Sequence, residues 1–241
     1  MITSTRLSKE DRILEVGPGL GFLTEELVKH AGRVVAVEKD RTLAKYLKQR
    51  FSNVSNLEII LGDALTIGKE ECTKLVSSPP YNISSNLVLF IIRNRFSSAV
   101  LLFQNEFVQR LTAKCGTREY GRLTVALQVH ADAEILMNVP RSAFYPSPRV
   151  DSALVTIKPR DDLIRKIGNP ALLDDLVRSL FTQRRRKLNK VLEKYIESRH
   201  PLKFNSILSE LKVPEKRVFQ MSPTELVELA NEITLTFQEV E

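Results

Sequence analysis

The residues best suited to chemistry lie in Ser77-Ser78-Pro79-Pro80-Tyr81-Asn82. Two prolines in succession restrict φ twice, cannot continue a helix and cannot donate to a central sheet ladder, so the segment is extended and its carbonyls are free. The Ser78 hydroxyl and the Pro79 carbonyl can each accept one N–H of an exocyclic amine, while Tyr81 can stack on the ring that carries it. Adenine and cytosine both meet that description. Taken alone, the segment also reads as a plain turn between a strand and a helix.

The elements that must position it argue against a plain turn. Arg12 to Val16 reads as a short buried strand, followed at once by Gly17-Pro18-Gly19-Leu20-Gly21 and a helical stretch from Phe22 to Ala31 closed by Gly32. Glycines there let backbone amides and the helix N-terminus approach a ligand closely. Position 22 is Phe, so the dinucleotide pattern Gly-x-Gly-x-x-Gly is not met. The spacing Glu-x-Gly-x-Gly-x-Gly from Glu15, carrying Gly17 and Gly19, resembles instead the first motif of S-adenosylmethionine-dependent methyltransferases.

A second strand, Val34 to Val37, ends in Glu38, placed to accept the ribose hydroxyls of a nucleoside. A third, Leu57 to Leu61, runs into Gly62-Asp63-Ala64, where Asp63 could accept from an adenine amine and the Ala64 amide donate to its ring. Each has a plainer reading: Glu38 as a solvated strand-end charge, Asp63 as the N-cap of the next helix. A fourth strand, Lys74 to Ser77, delivers the Ser-Pro-Pro-Tyr segment. Candidate groups thus fall at the carboxyl ends of successive strands, where open α/β sheets place their ligands.

Further strands are expected at Ala99 to Phe103, Ala133 to Val139 and Ser152 to Lys158, with an exposed basic loop carrying Arg118 between helices. Phe144-Tyr145-Pro146-Ser147-Pro148-Arg149-Val150 is a second proline-stiffened aromatic loop. It either places Phe144 or Tyr145 on the opposite face of an extruded base or simply connects two strands. After Pro159 the strand–helix alternation gives way to amphipathic helical segments, so the expected division is 1–159 for an α/β domain and 160–241 for a small all-α domain.

The chain has 241 residues, a net charge of +7 and a sequence pI of about 9.4, which favour a polyanionic partner. The positive charge is concentrated between Arg178 and Lys194, where Arg184, Arg185, Arg186, Lys187 and Lys190 face a single acid, Glu193. This stretch reads either as a phosphate-contacting surface or as a solvated helix face. The longest apolar run, Leu87 to Ile92, is too short to span a bilayer, and a cytoplasmic protein is expected. Cys72 and Cys115 are far apart and without neighbouring histidines, so neither a disulfide framework nor a metal site is indicated.

With both proline loops counted, the chain resembles the ribosomal RNA adenine dimethyltransferase family, in its small-subunit branch. The matching pieces are Leu14 to Gly21, Val37-Glu38, Gly62-Asp63-Ala64, Pro80 to Ser85, Gln104-Asn105-Glu106 with Arg110, Phe144-x-Pro146-x-Pro148-x-Val150-x-Ser152, and Phe181-x-Gln183-Arg184-Arg185. The resemblance implies a Rossmann-like class I methyltransferase domain with a seven-stranded sheet and a small helical C-terminal domain. It also implies S-adenosylmethionine as cofactor without metal, and dimethylation of two adjacent adenines in the 3′-terminal hairpin of small-subunit ribosomal RNA by a monomer. By motif, Glu15, Gly17, Gly19, Glu38, Asp63, Ala64 and Ser78 would serve the cofactor, and Ser78, Pro79, Tyr81 and Phe144 the target base. Arg118, Arg149 and Arg184 to Lys190 would contact RNA.

Two departures stand out. The family's Asn-Leu-Pro-Tyr or Asn-Ile-Pro-Tyr is Ser78-Pro79-Pro80-Tyr81 here, a form used by other amino-group methyltransferases. The family's Gly-Gln-x-Phe-Leu segment, which helps cover the cofactor, does not precede the glycine loop, which leaves a truncated start as one reading. Two rivals remain: a large-subunit RNA dimethyltransferase, and a non-catalytic RNA-binding assembly factor. The second has no evident use for Glu38 and Asp63.

Overall fold

The computed structural model describes residues 1–201 and 204–240. Its centre is a seven-stranded sheet in the order β3-β2-β1-β4-β5-β7-β6. The strands are β1 Arg12–Val16, β2 Arg33–Glu38, β3 Leu57–Leu61, β4 Lys74–Ser77, β5 Ser98–Gln104, β6 Ala131–Val139 and β7 Ser152–Pro159. β1 to β5 are mutually parallel, whereas β7 runs antiparallel to both β5 and β6. The order reverses between β1 and β4, the topological switch point at which doubly wound sheets open a crevice.

The sequence pattern explains the architecture. Ile13, Leu14, Val34, Val35, Ala36, Leu75, Val76, Ala99 and Leu101 are all buried, giving continuous apolar strands rather than alternating ones. Helices covering both faces of a parallel sheet demand that pattern. The helices of this part are α1 Ile2–Thr5, α2 Phe22–His30, α3 Arg41–Arg50, α4 Ala64–Ile67, α5 Ser84–Asn94 and the first turn of α6, Asn105–Leu111. Local signals set several ends: Asp40 caps α3 by accepting from the Thr42 and Leu43 amides at 2.7 and 2.9 Å. Such caps are worth about 1 kcal/mol.

The chain forms two compact units, Met1–Val108 with Ala131–Pro159, and Gln109–His130 with Arg160–Glu241. The second contains α7 Arg122–His130, α8 Pro170–Thr182, α9 Leu188–Arg199, α10 Phe204–Glu210 and α11 Pro223–Val240. Chain order assigns residues 109–130 to the sheet domain, and the structure places them with the helices instead. Tyr120, Val125 and Val129 join Leu176, Leu180 and Leu192 in one buried cluster. The Tyr120 hydroxyl donates to the Met221 carbonyl at 2.9 Å, which anchors a segment that precedes β6 onto one that follows it. Periodicity marks α7 as helical but does not name the core it joins.

The basic stretch is not one helix face. Arg178 lies on α8 and Lys190 and Lys194 on α9, while Arg184, Arg185, Arg186 and Lys187 occupy the turn between the two helices. Leu188 turns inward to the core immediately after four exposed or half-buried cations.

Candidate active site

The loop after β1 adopts left-handed backbone at Gly17 (φ 68°) and Gly19 (φ 60°), conformations that L side chains rarely take. The Gly17 amide donates to the Val37 carbonyl at 3.0 Å. A Cβ at position 17 would stand 3.1 Å from Cδ of Pro80, so the glycine loop and the proline segment, far apart in sequence, are packed together. The Ser77 hydroxyl reinforces the junction by donating to the Val16 carbonyl at 2.5 Å. At Gly19 a Cβ would meet no atom within 4 Å, so the loop borders open space that any side chain would intrude upon.

Glu38 ends β2 and is 7% exposed. Its Oε2 accepts from the Gly19 amide at 3.1 Å and its Oε1 from the Asp40 amide at 2.9 Å. The carboxylate therefore holds the glycine loop against the second strand. A carboxylate carries about four acceptor positions, which leaves capacity for hydroxyl donors beyond these two amides.

Glu15, on β1, is 1% exposed and accepts from the Thr24 hydroxyl of α2 at 2.7 Å. Burial pushes its carboxyl up to about 8; the Thr24 bond opposes the shift, and the nearby Glu38 charge adds to it. The side chain lies beneath the loop and connects strand to helix across it. Thr24 carries no signal in the sequence, since a threonine in the first turn of a helix is ordinary.

Asp63 realises its plainer reading. Its Oδ1 accepts from the Leu65 amide at 3.0 Å, capping α4, and its Oδ2 pairs with Lys39 Nζ at 3.2 Å. The amide bond and then Lys39 hold its carboxyl below the usual carboxylate range. The Gly62 amide donates to the Glu38 carbonyl at 2.9 Å, so the ends of β2 and β3 are joined. Ala64, the first residue of the capped helix, is buried.

Ser78 is exposed, Pro79 buried and Pro80 exposed, after which Tyr81 starts a 3-10 turn leading into α5. The half-buried Tyr81 ring is fixed at its tip by a 2.7 Å hydrogen bond between its hydroxyl and that of Ser152 at the start of β7. The loop between β6 and β7 splits its two aromatics. Phe144 is half-buried and rests on the cluster of Val100, Leu102 and Leu154, while Tyr145 is fully exposed. Ser152 falls inside a recognised motif, but its role as the anchor of Tyr81 is a tertiary fact.

Of the candidate RNA contacts, Arg149 is exposed in the first unit, whereas Arg118, Arg184, Arg185, Arg186, Lys187 and Lys190 all belong to the second. Lys190 is engaged with Glu193 at 3.0 Å. Arg217 and Phe219 do not stand out in the sequence, yet the Arg217 guanidinium donates to the Arg185 carbonyl and the Phe219 amide to the Arg184 carbonyl at 2.9 Å. No local pattern announces either residue.

Residues 1–231 match the family model described as ribosomal RNA adenine dimethylase. The chain belongs to that family. It is 42% identical over 230 residues to a probable ribosomal RNA small subunit methyltransferase A of Methanothermobacter thermautotrophicus, covering 94% of this chain and 82% of that one. It is 41% identical to the protein of the same description from Pyrococcus furiosus, over 95% of this chain and 84% of the relative. Among solved structures, a dimethyladenosine transferase from Plasmodium falciparum superposes with a TM-score of 0.84 at 27% identity, covering 99% of this chain and 94% of that one. The 23S rRNA methyltransferase ErmE gives 0.71 at 26% identity, with 96% and 94% covered. The fold is that of class I S-adenosylmethionine-dependent methyltransferases.

The residues fit such a cofactor. Open space over a left-handed glycine, a buried carboxylate at the end of β2 and a strand-end acid beside it form the kind of cradle that a nucleoside with a short zwitterionic arm requires.

Proposed function

We propose that this protein transfers methyl groups from S-adenosylmethionine to the exocyclic N6 of two adjacent adenines in the 3′-terminal hairpin of small-subunit ribosomal RNA, forming dimethyladenosine at each. The observation that carries the reading is the contact of Pro80 with Gly17: the amine-accepting segment and the glycine loop meet at the switch point of the sheet. Relatives named as small-subunit enzymes, at 41–42% identity, favour that target over the large-subunit one. The cytoplasm and a monomeric state accord with action on assembling ribosomal subunits.

S-adenosylmethionine supplies an electrophilic methyl on a sulfonium. The chain's own task is to make the adenine amine nucleophilic, because its lone pair is delocalised into the ring. In the first transfer Ser78 Oγ and the Pro79 carbonyl each accept one N–H, drawing the nitrogen toward tetrahedral geometry and stabilising the positive charge that develops on it. In the second a single N–H remains for one of them, and each transfer ends with loss of a proton from the nitrogen to solvent. Stiff prolines hold these acceptors without reorganisation, and alignment lowers the barrier further. Tyr81, braced by Ser152, and Phe144, seated on the sheet face, grip the extruded ring. Glu38 serves the ribose, Asp63 and Ala64 the adenine of the cofactor, and Gly17 and Gly19 leave room for its methionine arm, while Glu15 keeps the loop registered on α2. Arg118, Arg149 and the cations from Arg184 to Lys190 contact phosphates and orient the RNA.

Undermethylated small subunits incubated with the protein and methyl-labelled cofactor, followed by mass spectrometry of the RNA, test this. Dimethyladenosine at two neighbouring positions of the 3′-terminal hairpin is expected. Label confined to large-subunit RNA, or none, would overturn the assignment.

A further inference from the structure

The second unit contains a cavity of about 420 Å³ lined by Thr117, Arg118, Arg184, Arg185, Arg217 and Phe219. It is assembled from three stretches of chain: the loop before α7, the turn between α8 and α9, and the segment between α10 and α11. These are laced together by backbone. The Gly116 amide donates to the Phe219 carbonyl at 2.7 Å, the Phe219 amide to the Arg184 carbonyl at 2.9 Å, and the Val218 amide to the Arg186 carbonyl at 3.1 Å. Arg184 Nη1 donates to the Tyr120 carbonyl at 2.6 Å, and Arg217 Nη1 to the Arg185 carbonyl at 2.5 Å. Tyr120 is itself pinned to Met221. The cavity is thus a framed part of the fold.

Its chemistry is unbalanced. Among the described residues none of the four lining arginines pairs with a carboxylate, and Glu119 and Glu215, their neighbours in the chain, are exposed and bonded to none of them. Four guanidinium groups around one cavity repel one another unless an anion joins them. A simple phosphate contact needs no hollow. This one has an aromatic side: Phe219 is half-buried, leaning on the helical core while lining the cavity. Its volume lies within the roughly 300–1,000 Å³ of small-ligand sites. Guanidinium planes and a phenyl ring stack on nucleobases, and the guanidinium fork matches phosphate.

We propose that this cavity binds a single unstacked ribonucleotide of the RNA, its base lying against Phe219 and the arginine planes and its phosphate held by Arg118 and Arg185. It is a nucleotide site additional to the one at the sheet edge, it accepts any base because stacking rather than edge reading holds it, and it rests on the reading of the protein as an RNA methyltransferase.

The test uses the full chain and a fluorescein-labelled hexauridylate, which contains no adenine to occupy the methylation site, against an abasic ribose-phosphate hexamer of equal charge. Fluorescence anisotropy at fixed salt should show the uridylate binding on the order of 10-fold more tightly than the abasic strand. Phe219→Ala should abolish that preference while leaving the salt dependence unchanged. The backbone bonds of Phe219 do not depend on its ring, and Phe219→Leu, which retains apolar volume without an aromatic face, should lose the preference while melting close to the wild-type temperature. Arg185→Gln should weaken both probes and flatten the salt dependence. Equal binding of the two probes to the wild-type protein, or a preference that survives in both Phe219 variants, overturns the proposal and leaves a phosphate-only surface. Methyl transfer to undermethylated small subunits, measured on the same preparations, separates this outcome from a failure of the enzymatic reading.

Discussion

Replacing Glu15 by Gln tests whether a proton is stored beneath the glycine loop. The side chain is 1% exposed on β1, its bond to Thr24 is 2.7 Å, and its carboxyl is raised from 4.5 to about 8, first by burial and then by the charge of Glu38. Between those two values the folded chain keeps a proton that the unfolded chain releases. Stability from this group is therefore fully present below about pH 4.5 and is lost as pH rises toward and through about 8. A tenfold change in proton affinity corresponds to about 1.4 kcal/mol, so the whole window is worth at most about 5 kcal/mol. Glutamine is isosteric with the protonated acid, its amide oxygen still accepts from Thr24, and it does not titrate. Urea unfolding of both proteins from pH 5 to pH 9 should give a difference curve in which Glu15→Gln gains on the wild type progressively up to about pH 8, then levels. Titrations common to both proteins cancel in that difference. Parallel curves across the range would mean that Glu15 is ionised in the folded state, and the account of a neutral carboxyl joining β1 to α2 would be wrong.

Other consequences can be checked separately. Asp63→Ala should weaken cofactor binding by titration calorimetry and also cost about 1 kcal/mol in denaturant unfolding, because the cap on α4 is lost; unchanged affinity would remove Asp63 from the adenine site. Replacing the exposed Arg185 and Arg186 together by Gln should lower affinity for the 3′-terminal RNA hairpin and reduce its salt slope by roughly 0.9 for each phosphate contact removed. An unaltered slope would take the turn between α8 and α9 off the RNA surface. Ser78→Asn, which restores an amide oxygen and an NH₂ group, should preserve or raise turnover in the labelled-methyl assay, and complete loss would count against Ser78 as an acceptor.

Much of the sheet was legible because its signals are local. β3 and β4 occupy Leu57–Leu61 and Lys74–Ser77, the bounds the sequence indicates, and Glu38 and Asp63 fall at strand ends because each chain segment reverses there. The glycine loop and the double proline announce themselves by backbone restriction alone, a property of residue type that needs no partner.

Contacts between distant segments decided the rest. Nothing in the sequence indicates that both oxygens of Glu38 receive backbone amides, that the second oxygen of the α4-capping Asp63 pairs with Lys39, or that Phe144 rests on the sheet while Tyr145 stands free. The α7 segment precedes β6 in the chain yet packs with the helices that follow β7, because its apolar face, with Val125 and Val129, finds its core there. The arginines show the limit most clearly. Their number was visible from composition, but a run of cations has the same sequence whether it coats a helix or lines a cavity. Only the folding of three separated segments onto one frame brings Arg118, Arg184, Arg185 and Arg217 around Phe219. Hydrophobic periodicity specifies which face of an element is buried and leaves open which partner buries it.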